Sequence, residues 1–511
     1  MSRLKNSLEN AKFSLFFYAI AIFLGFFSRK VFLDSLGDAF IGLVSLLQNI
    51  LRLLNLAELG ISTAIGYTLY QPLYDKNKPE INSIIYYFAT LYKKIGILIL
   101  SIGFLVSLAL PWFIAEPTLP NTIIFLTFYT FLTSALLGYF LNYYQTLLEA
   151  DQKQYLIVKY AQSIAVIKTI LQIVFAYAYE NYYIWITIEL VFTVTYAIIL
   201  RRVITKTYPW LNLNFKNQQL KKYPDILTKI KQVFVHKIAY FIKWSKDQIL
   251  IHTFFGITSV AFYGNYQLIF GHLHALVNKF FSGSQAGVGN LISENKPENI
   301  KKVFWEMMAV RHFFAGFIVI TLYHLTEPFV NQWIGEKYLM EKAVLIVMLM
   351  NIYATQIKSP VEYFINAYGL YSDIWAPIVE ISINLTLSIL LGRYLGIYGV
   401  LLGTFIGTFI IFIIWKPYFL YMRGFKLPIK DYWIGFFKLF ICFLGAFVLI
   451  FFMANTIILF QINNFLDWFL YAMAISTLTL IIYCSMLYVL NQGFRDLVVR
   501  VKIFKWKRKR K

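Results

Sequence analysis

Apolar runs of about twenty residues alternate with short polar breaks along the whole chain. The runs are centred near Ile22, Leu54, Gly103, Leu132, Val166, Leu190, Ile242, Gly271, Phe317, Met350, Leu385, Phe405, Val448 and Leu478. A helix of about twenty residues, rising about 1.5 Å per residue, crosses the hydrocarbon core of a bilayer. Strict apolar–polar alternation, the mark of a barrel strand, is absent. In lipid the backbone must satisfy its own hydrogen bonds, so the spans are predicted to be helices. The pattern therefore predicts an all-α polytopic membrane protein with about 14 transmembrane helices.

Composition sharpens this. Of 511 residues, 59% are hydrophobic, 19% aromatic and only 14% charged. A soluble domain carries about a quarter charged residues. The formal charge of +22 would suggest nucleic acid in a soluble chain. Here the basic residues gather in alternate breaks, including Lys76, Lys78, Lys93 and Lys94, the stretch from Arg201 to Lys231, and Lys416 to Lys430. The intervening breaks hold little beyond Glu116, Glu180 and Glu336 beside Lys337. That asymmetry is a topology signal and places both termini in the cytoplasm; it leaves no role for nucleic acid. No small-residue cleavage pattern follows the first span, so that span is expected to be retained. Cys442 and Cys484 lie within apolar runs and have no metal-ligand spacing.

The chain repeats itself. Asn-Lys-Pro-Glu occurs at Asn77–Glu80 and again at Asn295–Glu298, an offset of 218 residues. In that register Lys93 matches Arg311 and Lys94 matches His312. Gly37 and Gly256 lie one residue off it, as do Pro111 and Pro328. Each copy has six spans, an even number, so the copies share one orientation, as in transporters built from parallel repeats. The expected organisation is an N-terminal six-helix lobe over 1–205, a cytoplasmic linker over 206–232 and a second six-helix lobe over 233–422. Two extra transmembrane helices follow over 423–492, then a polybasic cytoplasmic tail over 493–511. Before the third span of each copy an interfacial helix is expected; in the first copy Ile81, Ile84, Ile85, Phe88 and Tyr92 share one face of it.

Charged residues inside apolar helices are costly and mark candidate functional positions. His236, Tyr240, Lys243 and Asp247 share one helix face, with Lys246 beside them. The stripe lines a wet cavity or pairs structurally with a neighbouring helix. Arg29 corresponds to Asp247 at the repeat offset; opposite charges at related places could pair in one state and part in another. Arg52 lies at membrane depth, and Glu58, six residues on, falls on nearly the opposite face. Lys358 and Glu362 flank Pro360 at pairing distance, while Lys168 and Lys279 are weaker candidates. His272 and His274 face different directions and are poor metal ligands, and no other metal site is expected. Gly399, Gly403 and Gly407 form a close-packing stripe. The tail from Val501 to Lys511 is suited to anionic lipid headgroups, at about 1 kcal/mol per basic residue. A phosphate-binding Gly-rich loop, a metalloprotease helix and a nucleophile-elbow serine are all missing, so neither an ATP motor nor an enzyme is expected.

The runs SRKVFLDSLG, GLVSLLQNIL and LAELGISTAIGYTLYQPL, between Ser28 and Leu73, resemble the bacterial polysaccharide repeat-unit flippases of O-antigen and capsule type. These belong to the multidrug/oligosaccharidyl-lipid/polysaccharide exporter superfamily. The resemblance implies a carrier in the bacterial inner membrane that moves an undecaprenyl-diphosphate-linked glycan between leaflets by alternating access. Polysaccharide polymerase and chain-length machinery are further candidate partners. Arg and Lys suit the diphosphate, and 37 tyrosines are available for sugars. The expected substrate-binding residues are Arg29, Arg52, Tyr240, Lys243 and Lys246. Glu58, Asp247 and Glu362 are the candidates for coupling to a proton or sodium gradient; no other cofactor is expected. A drug or small-solute antiporter of the same fold is the alternative, with an integral-membrane polymerase behind it.

Overall fold

The computed structural model describes residues 3–54, 61–140, 145–151, 153–212, 224–281, 284–294, 296–370, 372–373, 375–456 and 461–509. For 3–15, 53–54, 61–67, 224–245, 285–286, 293 and 501–509 it describes the backbone alone. The described residues form helices joined by short connections, with no strand among them. The helices are α1 (Arg3–Leu54), α2 (Ile61–Tyr74), α3 (Lys78–Phe113), α4 (Asn121–Phe140), α5 (Gln145–Ala150), α6 (Gln154–Tyr179) and α7 (Tyr182–Thr207). They continue with α8 (Pro224–Phe280), α9 (Ser284–Ser293), α10 (Pro297–Ile334), α11 (Lys342–Ile357), α12 (Ser359–Ala367) and α13 (Trp375–Thr408). The last are α14 (Lys416–Phe419), α15 (Ile429–Thr456), α16 (Phe465–Leu490) and α17 (Gln492–Lys509).

All fourteen predicted span centres fall in helices. Ten helical stretches among the described residues are long and apolar enough to cross a membrane. The chain is a polytopic helical membrane protein. Two predicted centres share one continuous helix in α1, α8 and α13, and in each a glycine breaks the helix between them. Gly37 (φ 76°, ψ 165°) and Gly256 (φ 81°, ψ 175°) adopt nearly the same conformation. That region of backbone space is essentially closed to residues with a Cβ. The two copies of the repeat thus share a backbone device as well as residues.

The structure corrects the expected interfacial helices. In the first copy α3 runs unbroken for 36 residues, and in the second α10 runs for 38. Nothing between Tyr92 and Gly96 terminates the helix, so the amphipathic segment and the following span are one rod. At about 1.5 Å per residue such a rod is far longer than the hydrocarbon core is thick. Ile81, Ile84, Ile85, Phe88 and Tyr92 are all buried within the protein rather than spread at headgroup level.

Packing divides the chain into two compact units, Met1–Leu268 and Ile269–Lys511, with the division falling inside α8. In the second unit, α13 folds back on itself at Gly396 (φ 73°), and the glycine stripe lies in the seam. A Cβ at Gly399 would run into the Leu391 carbonyl, one at Gly403 into the Ser388 backbone, and one at Gly407 would press on Asn384. Glycine is required there by close approach, not by backbone angle. The C-terminal helices cover α10. The Tyr483 ring of α16 fills the space above Gly316, and its hydroxyl donates to the His312 carbonyl at 2.9 Å. Trp468 donates to the Leu325 carbonyl at 3.2 Å. Lys301 pairs with Asp431 at 2.9 Å, and Lys302 with Asp496 at 3.4 Å.

Candidate functional site

The first unit contains a buried polar seam where the second half of α1 meets α8. The stretch of α1 from Phe16 to Arg52 is apolar enough for the membrane, so its polar side chains are driven to find polar partners. Gln248 is the hub. Its side chain accepts a short hydrogen bond from Asn49 of α1 and donates to Gln267 at 2.6 Å. Asn49 also donates to the Ser45 carbonyl one turn back, at 2.8 Å. Beside Gln248, the Lys246 ammonium lies 2.6 Å from the Asp247 carboxylate, and both side chains are buried. A buried ion pair is tolerated when its geometry is close and further polar groups surround it.

Arg29 is half-buried at the same seam. Its Nε donates to Asn265 Oδ1 at 2.6 Å, and one terminal nitrogen donates to the Ala261 carbonyl at 2.9 Å. Asn265 is fully buried. Gly264 makes room for the guanidinium; a Cβ there would lie 2.9 Å from Nη2. Of the sequence-derived candidates, Arg29 joins α1 to α8 at this seam, and Lys246 and Asp247 pair with each other just before Gln248 in α8. Arg29 engages Asn265 and Ala261, while Asp247 engages Lys246.

Arg52 lies in the last turn of α1, exposed, and makes no hydrogen bond or ion pair with the described residues. Glu58 lies outside the described residues. The backbone of Tyr240 and Lys243 lies in α8, and their side chains, with that of His236, fall outside the description. In the second unit Glu362 pairs with Lys358 at 2.9 Å across one helical turn, and the Lys358 ammonium sits 3.8 Å above the Phe412 ring.

The second unit also has a polar network that the sequence did not single out as a site. Arg311 is fully buried in α10. Its guanidinium donates to Gln356 at 2.8 Å and to the Tyr363 hydroxyl at 2.7 Å, and stacks on the Phe281 ring at 3.9 Å. Gln356 in turn meets His274 at 3.0 Å, and His274 meets Asn278 at 2.8 Å. His312, next in the chain and also fully buried, pairs with the Tyr353 hydroxyl at 2.9 Å. The available signal was the repeat itself, which aligned Arg311 with Lys93 and His312 with Lys94. Asn49, Gln248, Asn265 and Gln267 were likewise missed, because an uncharged amide in an apolar run stands out less than a charge.

Comparison with known proteins reports on the fold. The chain aligns over 96% of its length, and over 100% of the other chain, with a solved structure of the lipid II flippase MurJ in an inward closed conformation (TM-score 0.67, 20% identity). It has the fold of MOP-superfamily transporters. An inward-facing multidrug resistance MATE family transporter of that superfamily aligns over 80% of this chain and 95% of its own (TM-score 0.56, 12% identity). A MOP-superfamily transporter from Pyrococcus furiosus, described as having a binding pocket of reversed polarity, covers 84% of this chain and 98% of its own (TM-score 0.54, 13% identity). No protein-family model and no curated protein sequence matches the chain.

Proposed function

We propose that the chain is a flippase for polyprenyl-diphosphate-linked glycans of surface polysaccharide biosynthesis, with undecaprenyl diphosphate as the carrier. It would lie in a bacterial inner membrane with both termini on the cytoplasmic side and work by alternating access. The observation that carries this reading is the end-to-end likeness to a lipid II flippase, over 96% of this chain, where the MATE transporter covers 80%. The chemistry supports it. Arg52 offers an exposed guanidinium with no partner among the described residues, suited to the two phosphates of such a carrier. Arg29, Lys246, Tyr240 and Lys243 would extend the polar path from there, and the basic tail would hold anionic lipid.

Purified protein in proteoliposomes, supplied with a fluorescent polyprenyl-diphosphate oligosaccharide, tests the reading. Wild-type protein is expected to move the probe between leaflets. Arg52→Ala is expected to slow it about tenfold, the effect of losing one charge-assisted contact. Failure to move any polyprenyl-diphosphate glycan would sink the proposal.

A second reading is a cation-coupled antiporter for drugs or small solutes. It is favoured by the buried carboxylate–ammonium pair Asp247–Lys246, an arrangement that can exchange a proton or cation. Glu362 and Glu58 are the further coupling candidates. Uptake driven by an imposed proton or sodium gradient, with no lipid-linked probe moved, would favour this reading.

A further inference from the structure

A cavity of about 470 Å³ lies wholly within the first unit, apart from the α1–α8 seam. It opens between the last turns of α4, the start of α5 and the middles of α6 and α7. Cavities of this size hold small organic solutes. Its polar groups are ordered. The Lys168 ammonium of α6 lies 2.7 Å from one Glu189 oxygen of α7, and Gln172 donates to the other at 3.0 Å. Gln145 of α5 donates to the Tyr196 hydroxyl of α7 at 3.1 Å. Both members of the ion pair remain partly accessible, Lys168 at 24% and Glu189 at 12%.

The lining also carries hydroxyls on α4 and α7. On α7, Thr187 and Thr195 bond back to the carbonyls one turn earlier, as hydroxyls in apolar helices usually do. Thr193 on the same helix, and Ser134 on α4, line the cavity and make no such bond among the described residues.

We propose that this cavity binds a neutral, hydroxyl-rich sugar ring of the transported glycan. The inference rests on the flippase reading for the identity of the cargo. The lining charges cancel, one ammonium against one carboxylate. A diphosphate would face Glu189, and a metal cation would face Lys168. An uncharged polyol meets neither penalty: its hydroxyls donate to Glu189 and accept from Lys168 and Thr193. The ring of Phe192, also in the lining, offers an apolar face for the C–H face of a pyranose.

Gly138 supplies a clean test. It lines the cavity, and a Cβ built on it meets nothing within 4 Å. Gly138→Leu therefore fills the space without displacing backbone. The experiment is saturation-transfer NMR of the full-length protein in nanodiscs with glucose, galactose, N-acetylglucosamine and lactose. Unfolding temperatures confirm that each variant is folded. At least one of these sugars is expected to give a signal on wild-type protein that Gly138→Leu reduces to background and Thr193→Val weakens. No signal from any of them on wild-type protein, or a signal that survives in folded Gly138→Leu, overturns the site. Flipping of the lipid-linked probe is measured in parallel. Wild-type flipping without sugar binding removes the cavity site alone; sugar binding without flipping removes the transport reading alone.

Discussion

Helices α3 and α10 begin at the same Lys-Pro-Glu motif and each carries a proline near its end, Pro111 and Pro328, yet they live in different surroundings. In the best apolar window of α3, 28% of residues are buried; in α10 the figure is 61%. Helices α15, α16 and α17 pack over α10, with Tyr483, Trp468, Asp431 and Asp496 all bonded to it or to its side chains. The matching residues tell the same story. Lys93 and Lys94 are exposed, whereas Arg311 and His312 are fully buried and hydrogen-bonded. Leu98 is 52% exposed, whereas its counterpart Gly316 lies beneath the Tyr483 ring. One ancestral pattern has become a surface rod in the first unit and a core rod in the second.

The contrast can be broken most forcefully at Arg311. Arg311→Ala removes a buried guanidinium and leaves Gln356 and Tyr363 short of a partner. It should cost about 2–4 kcal/mol, read as a clear fall in the unfolding temperature in detergent, while Lys93→Ala should match wild type. Equal effects at the two positions would show that burial of the cation in α10 does not create the difference. Next comes Gly316→Leu, which forces a side chain into the Tyr483 ring. About 1–3 kcal/mol of overpacking is expected, together with loosening of α16 measured by hydrogen exchange; Leu98→Gly at the related site should leave α16 unaffected.

Smaller effects sharpen the comparison. Tyr483→Phe keeps the ring that fills the space over Gly316 and removes only the hydrogen bond to the His312 carbonyl. About 1 kcal/mol is expected, and a larger loss would mean that the hydroxyl rather than the ring anchors α16. At the helix starts, the Asn77 side chain caps α3 by accepting from the Glu80 N–H at 3.1 Å; Asn295, its counterpart in the repeat, lies outside the described residues, and Lys296 at the start of α10 makes no side-chain cap. Asn77→Ala should cost about 1 kcal/mol, and Lys296→Ala should be silent in the same unfolding assay.

Some of the site was legible and some was not, for a physical reason in each case. Arg29, Arg52 and Asp247 stood out because a charge in an apolar run has few acceptable explanations. The Lys358–Glu362 pair followed from helical spacing alone, and the structure shows it at 2.9 Å. Gln248 and Asn265 did not stand out, although they make the bonds that organise the seam. Their importance depends on which side chains of a helix more than 190 residues away in sequence reach them. The cavity in the first unit was equally hidden: Lys168 was visible as a weak candidate, but its pairing with Glu189 and the open hydroxyl of Thr193 are properties of packing.

The sequence by itself determined that the chain is helical and spans a membrane, and that it carries a repeat in which Gly37 and Gly256 recur in near register. These follow from local rules: run length against bilayer thickness, backbone satisfaction in lipid, and the angles that glycine alone can adopt. Only the tertiary structure decided which of two matching helices would be buried, and therefore whether a cation in the repeat became an exposed lysine or the centre of a hydrogen-bonded core. It also joined the predicted interfacial helix to its span. Burial is set by what packs against a face, and the apolar stripe that runs through Ile81, Phe88 and Tyr92 looks the same whether a headgroup or another helix covers it.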